Sequence, residues 1–314
     1  MGIECTCDDS SVAIYSLEEK KIINQITYSS RDEYHQYGGI VPEIAARTHE
    51  KNLFRSLEET LNSCKLKMED ISYISYSAEP GLDSSILSGR MLATTLAVAL
   101  DKVLLPINHL EAHVFSIGLQ EKLIFPSLTL LITGKNTIVY QLIDNKRIIK
   151  LDECKDCALG EAYDKVARIM GLKYPGGPLL EKYYNKYKEF PPLTRRSKNI
   201  TKLTLNFSGL ITASDRYWKK LQENENLSLD KKREALSTAF QKEIIEILLI
   251  KLKHWAQKSS IKQLYIVGGV SKNVIIRENL LKFFLENNLN CSFISPDLAE
   301  DNGAMIAYRA SLLI

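Results

Sequence analysis

The sequence is short of several things. No stretch approaches the roughly 18 to 20 unbroken apolar residues of a membrane-spanning helix, so a membrane role is not expected. The opening "MGIECTCDDSSVAIYS" has no basic segment followed by an apolar run, and so does not read as a secretory signal. It is also too acidic and too strand-like for a transit peptide. Six cysteines in 314 residues are too few for a disulfide framework, and a reducing, cytoplasmic setting is the expectation. Cys154 and Cys157 form a C-x-x-C, but no second pair stands at zinc-ribbon spacing, which leaves ordinary thiols beside a loop. The net charge of +3 is too small to decide for or against a nucleic-acid partner. Low-complexity segments and long linkers are missing too.

What is there is a chain with 45% hydrophobic residues, enough for a sizeable core, most simply in two lobes. "SVAIYS" and "KIINQITYS", joined by the charged "LEEKK", read as a β-hairpin. "VPEIAARTHEKNLFRSLEETLNSC" has helical periodicity, with Ile44, Thr48, Leu53, Leu57 and Leu61 near one face. "ISYISYSAEP" reads as a strand, "SSILSGRMLATTLAVAL" as a buried apolar helix and "KVLLPI" as a further strand. "SLTLLITGKNTIVYQLI" repeats the strand–turn–strand pattern, which suggests two related lobes. A largely helical stretch from about 159 to 258 follows, then "QLYIVGGVSKNVIIRENLLKFFLENN" as strand, glycine turn and helix. Strands feeding helices in this way indicate an α/β protein with largely parallel sheets.

Two histidines, His109 and His113, stand four residues apart in "INHLEAHVFS". On a helix they project from one side, a spacing suited to one divalent metal and equally to two satisfied core or surface histidines. A zinc-protease helix would read H-E-x-x-H, with the glutamate as general base. Here the order is H-L-E-A-H, and Glu111 falls about 200° around the helix from the first histidine. The protease reading lacks its base.

Three further segments carry possible chemistry. "ALGEAYDKVARIMGLKYPGGP" forms an amphipathic helix, with Glu161, Asp164, Lys165 and Arg168 opposite its apolar face and Gly171 placed to end it. "YPGGP" then reads as a rigid turn, bringing Asp164 and Gly177 to one pocket or serving structure alone. In "YIVGGVSKN" a strand, two glycines and a helix start near Ser271 make a crevice of the kind nucleotides favour. "LAEDNGAMIA" places Asp301 and Asn302 before a last helix, as caps or, for Asp301, as an oxygen ligand beside the histidines.

In order, "GIECTCDDSSVAIY", "YGGIVPEIAARTH", "NHLEAH", "GEAYDKVARIMGLKYPGGPLLE", "NFSGLITA", "VGGVSKNVIIR" and "DNGAMIA" resemble one family, the tRNA N6-adenosine threonylcarbamoyltransferases (TsaD). Older descriptions of that family as a glycoprotease rest on the histidine pair. The resemblance implies an actin-, hexokinase- and Hsp70-ATPase-like fold (ASKHA), in which two RNase-H-like lobes flank a nucleotide and metal cleft. The lobes are expected over 1–124 and 125–314. The resemblance further implies one divalent metal, iron or alternatively zinc, on His109, His113 and Asp301. The reaction implied moves a threonylcarbamoyl group from threonylcarbamoyl-AMP to N6 of the adenosine 3′ to the anticodon, in tRNAs reading codons that begin with A. Asp164, Gly177 and Glu181 are implied at the ribose and adenine, with Asn273 on the adenine side. Thr133, Gly134, Lys135 and Asn136 are implied near the phosphate and metal. Asp8, with Asp9 beside it, is expected on the first hairpin, Asp8 orienting the attacking amine or a water.

Departures from the family pattern are specific. The phosphate loop, usually S-G-G-H-T, reads Thr133-Gly134-Lys135-Asn136-Thr137, and the first motif, usually T-S-C-D-E-T, reads Cys5-Thr6-Cys7-Asp8-Asp9-Ser10. Ile211 stands where lysine is usual. A catalytically degenerate scaffold subunit is therefore the alternative to an enzyme, and a small-molecule kinase of the same fold is a third reading. Expected partners are tRNA, a paralogous TsaB-like subunit and a small TsaE-like ATPase. The paralogue would meet the helical face of the N-terminal lobe, where Leu53, Leu57 and Leu61 face it or the core. The basic clusters at 194–198 and 218–220 would favour tRNA docking.

Overall fold

The computed structural model describes residues 1–30, 42–194 and 205–314. They form two compact units, Met1–Leu123 with Asp297–Ile314, and Ile124–Pro296. The expected 124/125 division falls beside the first crossing. The second lobe, expected to run to 314, instead ends at Pro296, and the chain returns to the first unit for its last helix. The basic cluster at 194–198 lies outside the described residues, Thr194 excepted. No helix of the described residues is long and apolar enough to cross a membrane.

The first unit is built on strands β1 (Gly2–Glu4), β2 (Asp9–Ser16), β3 (Lys21–Ser29), β4 (Tyr73–Glu79) and β5 (Val103–Asn108), in the order β3-β2-β1-β4-β5. The strands of the second are β6 (Ser127–Ile132), β7 (Thr137–Leu142), β8 (Ile148–Glu153), β9 (Gln263–Val267) and β10 (Asn290–Phe293), in the order β10-β9-β6-β7-β8. Taken from the other edge, that second order repeats the first. In each sheet three antiparallel strands are followed by two parallel ones, so the sheets are evenly mixed rather than largely parallel. The duplication is present, but the strand pair matching β6–β7 is β1–β2 and not the expected hairpin β2–β3. A three-residue β1 is too short to show an alternating pattern in sequence. The loop Cys5–Asp8 is thus the topological counterpart of Thr133–Asn136.

Helices α1 (Pro42–Cys64) and α2 (Asp83–Ala99) cover the first sheet. Leu53 and Leu57 are buried in its core and Leu61 packs against it, so this stripe faces inward. Burying an apolar stripe is what holds an amphipathic helix to a sheet. The expectation of a wholly buried α2 does not hold: Leu87, Met91 and Val98 are exposed. Its inner face is made of Leu92 with Ser85, Gly89, Ala93 and Ala97, four small residues that let the helix approach the sheet closely. The rest of this unit is α3 (His109–Phe115) and the C-terminal α9 (Gly303–Ser311).

In the second unit, α4 (Leu159–Ile169), α5 (Gly176–Lys182), α6 (Ser208–Glu223), α7 (Leu229–Ser259) and α8 (Val274–Glu286) surround the sheet. Along α7, Leu236, Phe240, Ile244, Leu248 and Leu252 recur every fourth residue and are all within 1% of full burial. They form the spine of the larger core. Gly171, at φ +69°, ends α4 in the left-handed region that glycine enters without strain. The glycines of "YPGGP" open α5 rather than forming a free turn. Ile211, the replacement for the usual lysine, packs against this core.

Candidate functional site

Strand β5 ends at Asn108, whose side-chain oxygen accepts from the Glu111 amide at 3.1 Å and so caps α3. The cap starts the helix at His109. His109 and His113 consequently emerge on one side, both buried, their rings edge to face with centroids 4.8 Å apart. Glu111 points elsewhere: Arg309 of α9 donates to its Oε2 from Nε at 3.1 Å and from Nη2 at 2.7 Å. The residue that a protease would use as its base is here half of a clamp between α3 and α9.

That clamp brings in the third group. Helix α9 lies so close to β1 and β2 that a Cβ on Gly2 would stand 2.3 Å from the Gly303 carbonyl oxygen. The Gly303 amide also donates to Ser11 Oγ at 2.9 Å. Asn302 caps the helix by accepting from the Met305 amide, which leaves Asp301 available for the histidines. Asp301 Oδ1 lies 2.9 Å from His113 Nε2 and 3.7 Å from His109 Nε2. One potential ligand atom from each of His109, His113 and Asp301 lies within 4.8 Å of the others. Two imidazole nitrogens and a carboxylate oxygen converging in this way fit a divalent ion bound at about 2.0–2.2 Å.

Residues that the motif order did not single out support this group. Glu4, fully buried at the end of β1, stands 3.0 Å from His109 Nδ1 and accepts from Thr6 Oγ1 at 2.6 Å. On α1, His49 lies 2.8 Å from Ser10 Oγ through Nδ1 and 2.9 Å from the Cys7 carbonyl oxygen through Nε2. These bonds pin the loop Cys5–Asp8. Asp8 is in that loop and not on the hairpin, while Asp9 is the first residue of β2. Nothing in local periodicity marks Glu4 or His49, whose partners are remote in sequence.

The remaining expected residues belong to the second unit, around a different set of contacts. Thr133 Oγ1 accepts from the Lys135 and Asn136 amides, closing the "TGKN" turn. The turn sits against α4 closely enough that a Cβ on Gly160 would lie 2.7 Å from Gly134 Cα. Asp164 Oδ1 accepts from the Gly176 amide at 2.7 Å, and Glu181 Oε2 from the Val274 amide at 3.2 Å, so each carboxylate anchors a helix start. Burial pushes both carboxyls above their usual range, partly offset by those amides. Asn273 Oδ1 caps α8 by accepting from Ile276, while its buried Nδ2 has no partner among the described residues. The helix therefore starts after Asn273, and Ser271 lies in a preceding 3-10 turn. At Gly134 and Gly177 a Cβ would meet nothing within 4 Å among the described residues, so the backbone there is open to approach.

Cys154 and Cys157 are free, and burial raises both thiols to about 11, leaving them protonated and unreactive near neutrality.

Residues 21–308 match the family model for TsaD, tRNA N6-adenosine threonylcarbamoyltransferase. A protein of that name from Fusobacterium nucleatum is 33% identical over 312 residues, covering 99% of this chain and 89% of its own. One from Ureaplasma urealyticum is 36% identical over 319 residues, covering 100% and 95%. Among solved structures, the activator of 2-hydroxyisocaproyl-CoA dehydratase from Clostridium difficile, with bound ADPNP, superposes with a TM-score of 0.57 at 17% identity, covering 99% of this chain and 93% of that one. Full-length HypF in a phosphate- and nucleotide-bound form gives 0.62 at 11% identity, over 84% and 41%. These likenesses show the two-lobed α/β fold of the ASKHA class. With the family model and the full-length relatives in agreement, the chain belongs to the tRNA N6-adenosine threonylcarbamoyltransferase family.

Proposed function

We propose that this protein transfers a threonylcarbamoyl group from threonylcarbamoyl-AMP to N6 of the adenosine 3′ to the anticodon, in cytoplasmic tRNAs reading codons that begin with A. The observation that carries this reading is the convergence of His109, His113 and Asp301 in a chain of this family. In the reaction a bond forms between adenosine N6 and the carbamoyl carbon, the bond from that carbon to the AMP oxygen breaks, and N6 loses a proton. His109, His113 and Asp301 would hold a divalent ion, iron or alternatively zinc, which would supply Lewis acidity toward the carbamoyl group.

The chain's own residues do the rest. Asp164 and Glu181 each use one oxygen on a helix amide and offer the other to ribose hydroxyls. The unpartnered Nδ2 of Asn273 donates to the adenine ring, and the open backbone at Gly177 admits the nucleoside. The Thr133-Gly134-Lys135-Asn136 turn stabilises charge on the departing phosphate with backbone amides and the Lys135 cation. Asp8 orients the attacking amine. Phe54, Leu87 and Met91, exposed on α1 and α2, form the surface offered to a paralogous TsaB-like subunit, with a small TsaE-like ATPase completing the system.

The test is nucleoside mass spectrometry of unmodified tRNA incubated with the protein, threonylcarbamoyl-AMP and the partner proteins. Threonylcarbamoyladenosine is expected with the native chain and not with His109→Ala. No product from the native chain, in a mixture where a relative succeeds, would sink the proposal.

A further inference from the structure

The two histidines of the candidate metal centre are held in different ways. His113 has one bonded nitrogen, Nε2, which faces Asp301 at 2.9 Å; its Nδ1 is buried with no partner among the described residues. His109 has the Glu4 carboxylate 3.0 Å behind its Nδ1, with Thr6 Oγ1 farther off at 3.4 Å and its hydroxyl donated to Glu4, and Asp301 on its Nε2 side. Glu4 is fully buried, and a buried carboxylate is tolerated only where donors satisfy it. It has two: the Thr6 hydroxyl on Oε1 at 2.6 Å and the imidazole on Oε2.

We propose that Glu4 is a positioning residue for the metal centre: it fixes His109 in the Nδ1–H tautomer, so that Nε2 presents its lone pair toward Asp301 and a bound cation. Nδ1 donates to Glu4 Oε2 across the 3.0 Å contact, and a neutral imidazole protonated there has its remaining lone pair on Nε2. The contact also stops the ring turning, and its negative charge raises the donor strength of the opposite nitrogen. Thr6 holds the second oxygen of Glu4 and so keeps the carboxylate edge toward the ring. Because β1 carries Glu4 while α3 carries His109, the first strand of the chain sets the ligand geometry of a helix more than 100 residues away. This inference rests on the metal-centre reading above. Its tautomer component can be measured on the metal-free protein.

Two measurements on the full chain test it, with Zn²⁺ alone as the probe. The first is the side-chain ¹⁵N spectrum of His109 in the metal-free protein, which distinguishes the tautomers. The Nδ1–H form is expected in the native chain, with a mixture of tautomers in Glu4→Gln. The second is Zn²⁺ affinity by competition with a chromophoric chelator. Loss of an outer partner of a ligating histidine is expected to weaken binding about 10- to 100-fold in Glu4→Gln. Thr6→Val, which keeps the carboxylate, should lose roughly tenfold at most. Melting of the metal-free variants within a few degrees of the native chain would separate positioning from a general packing defect. Equal Zn²⁺ affinity in the native and Glu4→Gln chains, or an Nε2–H tautomer in the native spectrum, overturns the proposal. A native chain that binds no Zn²⁺ and no Fe²⁺, yet shows the Nδ1–H form, overturns the metal-centre reading and leaves the hold of Glu4 on the tautomer supported.

Discussion

The two units share a strand order and differ in what they do with it. In the first, the chemically distinctive groups close on one another: His113 on Asp301, His109 on Glu4 and Asp301, Glu111 on Arg309. In the second, the distinctive groups are held open. Among the described residues, Asp164 and Glu181 bond one backbone amide each, Asn273 Nδ2 has no partner, and Gly134 and Gly177 have no neighbours where a side chain would go. A closed cluster of two imidazoles and a carboxylate suits a small ion held by several ligands at once. An open set of single donors and acceptors suits an organic ligand with dispersed polar groups. One sheet plan thus carries a closed cluster in one copy and an open set in the other, the contrast on which the proposed metal and nucleoside sites rest.

Several changes would break or sharpen this contrast. The largest effect is expected from His113→Ala or Asp301→Ala. Lewis-acid stabilisation is worth several kcal/mol, so transfer should fall about 100-fold or more, with bound metal lost and nucleotide affinity kept. A fall in nucleotide affinity of the same size would erase the distinction between the two sets. Next, Arg309→Met removes the partner of Glu111, and unfolding in denaturant should show a loss of about 1–3 kcal/mol, as expected for losing charge-assisted hydrogen bonds between a buried guanidinium and a carboxylate that is about a third exposed. A loss below about 0.5 kcal/mol would mean that the clamp does not hold α3 to α9.

In the open set, Asn273→Asp keeps the oxygen that caps α8 but loses the Nδ2 donor. Calorimetry should find AMP bound about 10-fold more weakly, with stability nearly unchanged; Asn273→Ala should add about 1 kcal/mol of lost capping. Unchanged AMP affinity in Asn273→Asp would remove that residue from the nucleoside site. The smallest expected effect is at Asp164. Its carboxyl sits above the ordinary range in the folded chain, so the folded state takes up a proton more readily than the unfolded one. The ionised form therefore costs stability at neutral pH, and that cost is relieved as pH falls through the raised value. Asp164→Asn should melt slightly higher than the native chain at pH 7, with the gain shrinking as pH falls through the raised value and gone well below about pH 4, where both states are protonated. A gain that grows on acidification would contradict the sign.

How much of this was legible in the sequence depended on the range of the interaction. The histidine pair was visible because both residues lie on one turn of helix, and the displaced Glu111 could be ruled out as a base by angle alone. Local sequence left Asp301 open between helix cap and oxygen ligand, and motif order alone favoured the ligand, since its meeting with α3 depends on α9 returning to β1 and β2 through Gly2 and Gly303. Glu4 was not legible at all: a lone acid in a three-residue strand has no periodicity, and its partner comes 105 residues later. The apolar run of α2 suggested full burial, because composition does not reveal that Gly89, Ala93 and Ala97 make the inward face while Leu87 and Met91 are left outside. The "YPGGP" segment suggested a turn for a similar reason. Glycine and proline mark a break in structure but do not exclude a helix beginning at that break, and α5 starts at Gly176 with Asp164 holding its amide.

The most direct test of the central claim is crystallography of the metal-loaded protein, with anomalous data collected across the edge of the bound ion. The account predicts one site per chain, with His109 Nε2, His113 Nε2 and an Asp301 oxygen at bonding distance and Glu4 on the far side of the His109 ring. An ion bound at another set of residues, or a His109 ring turned so that Nδ1 faces the ion, would contradict it.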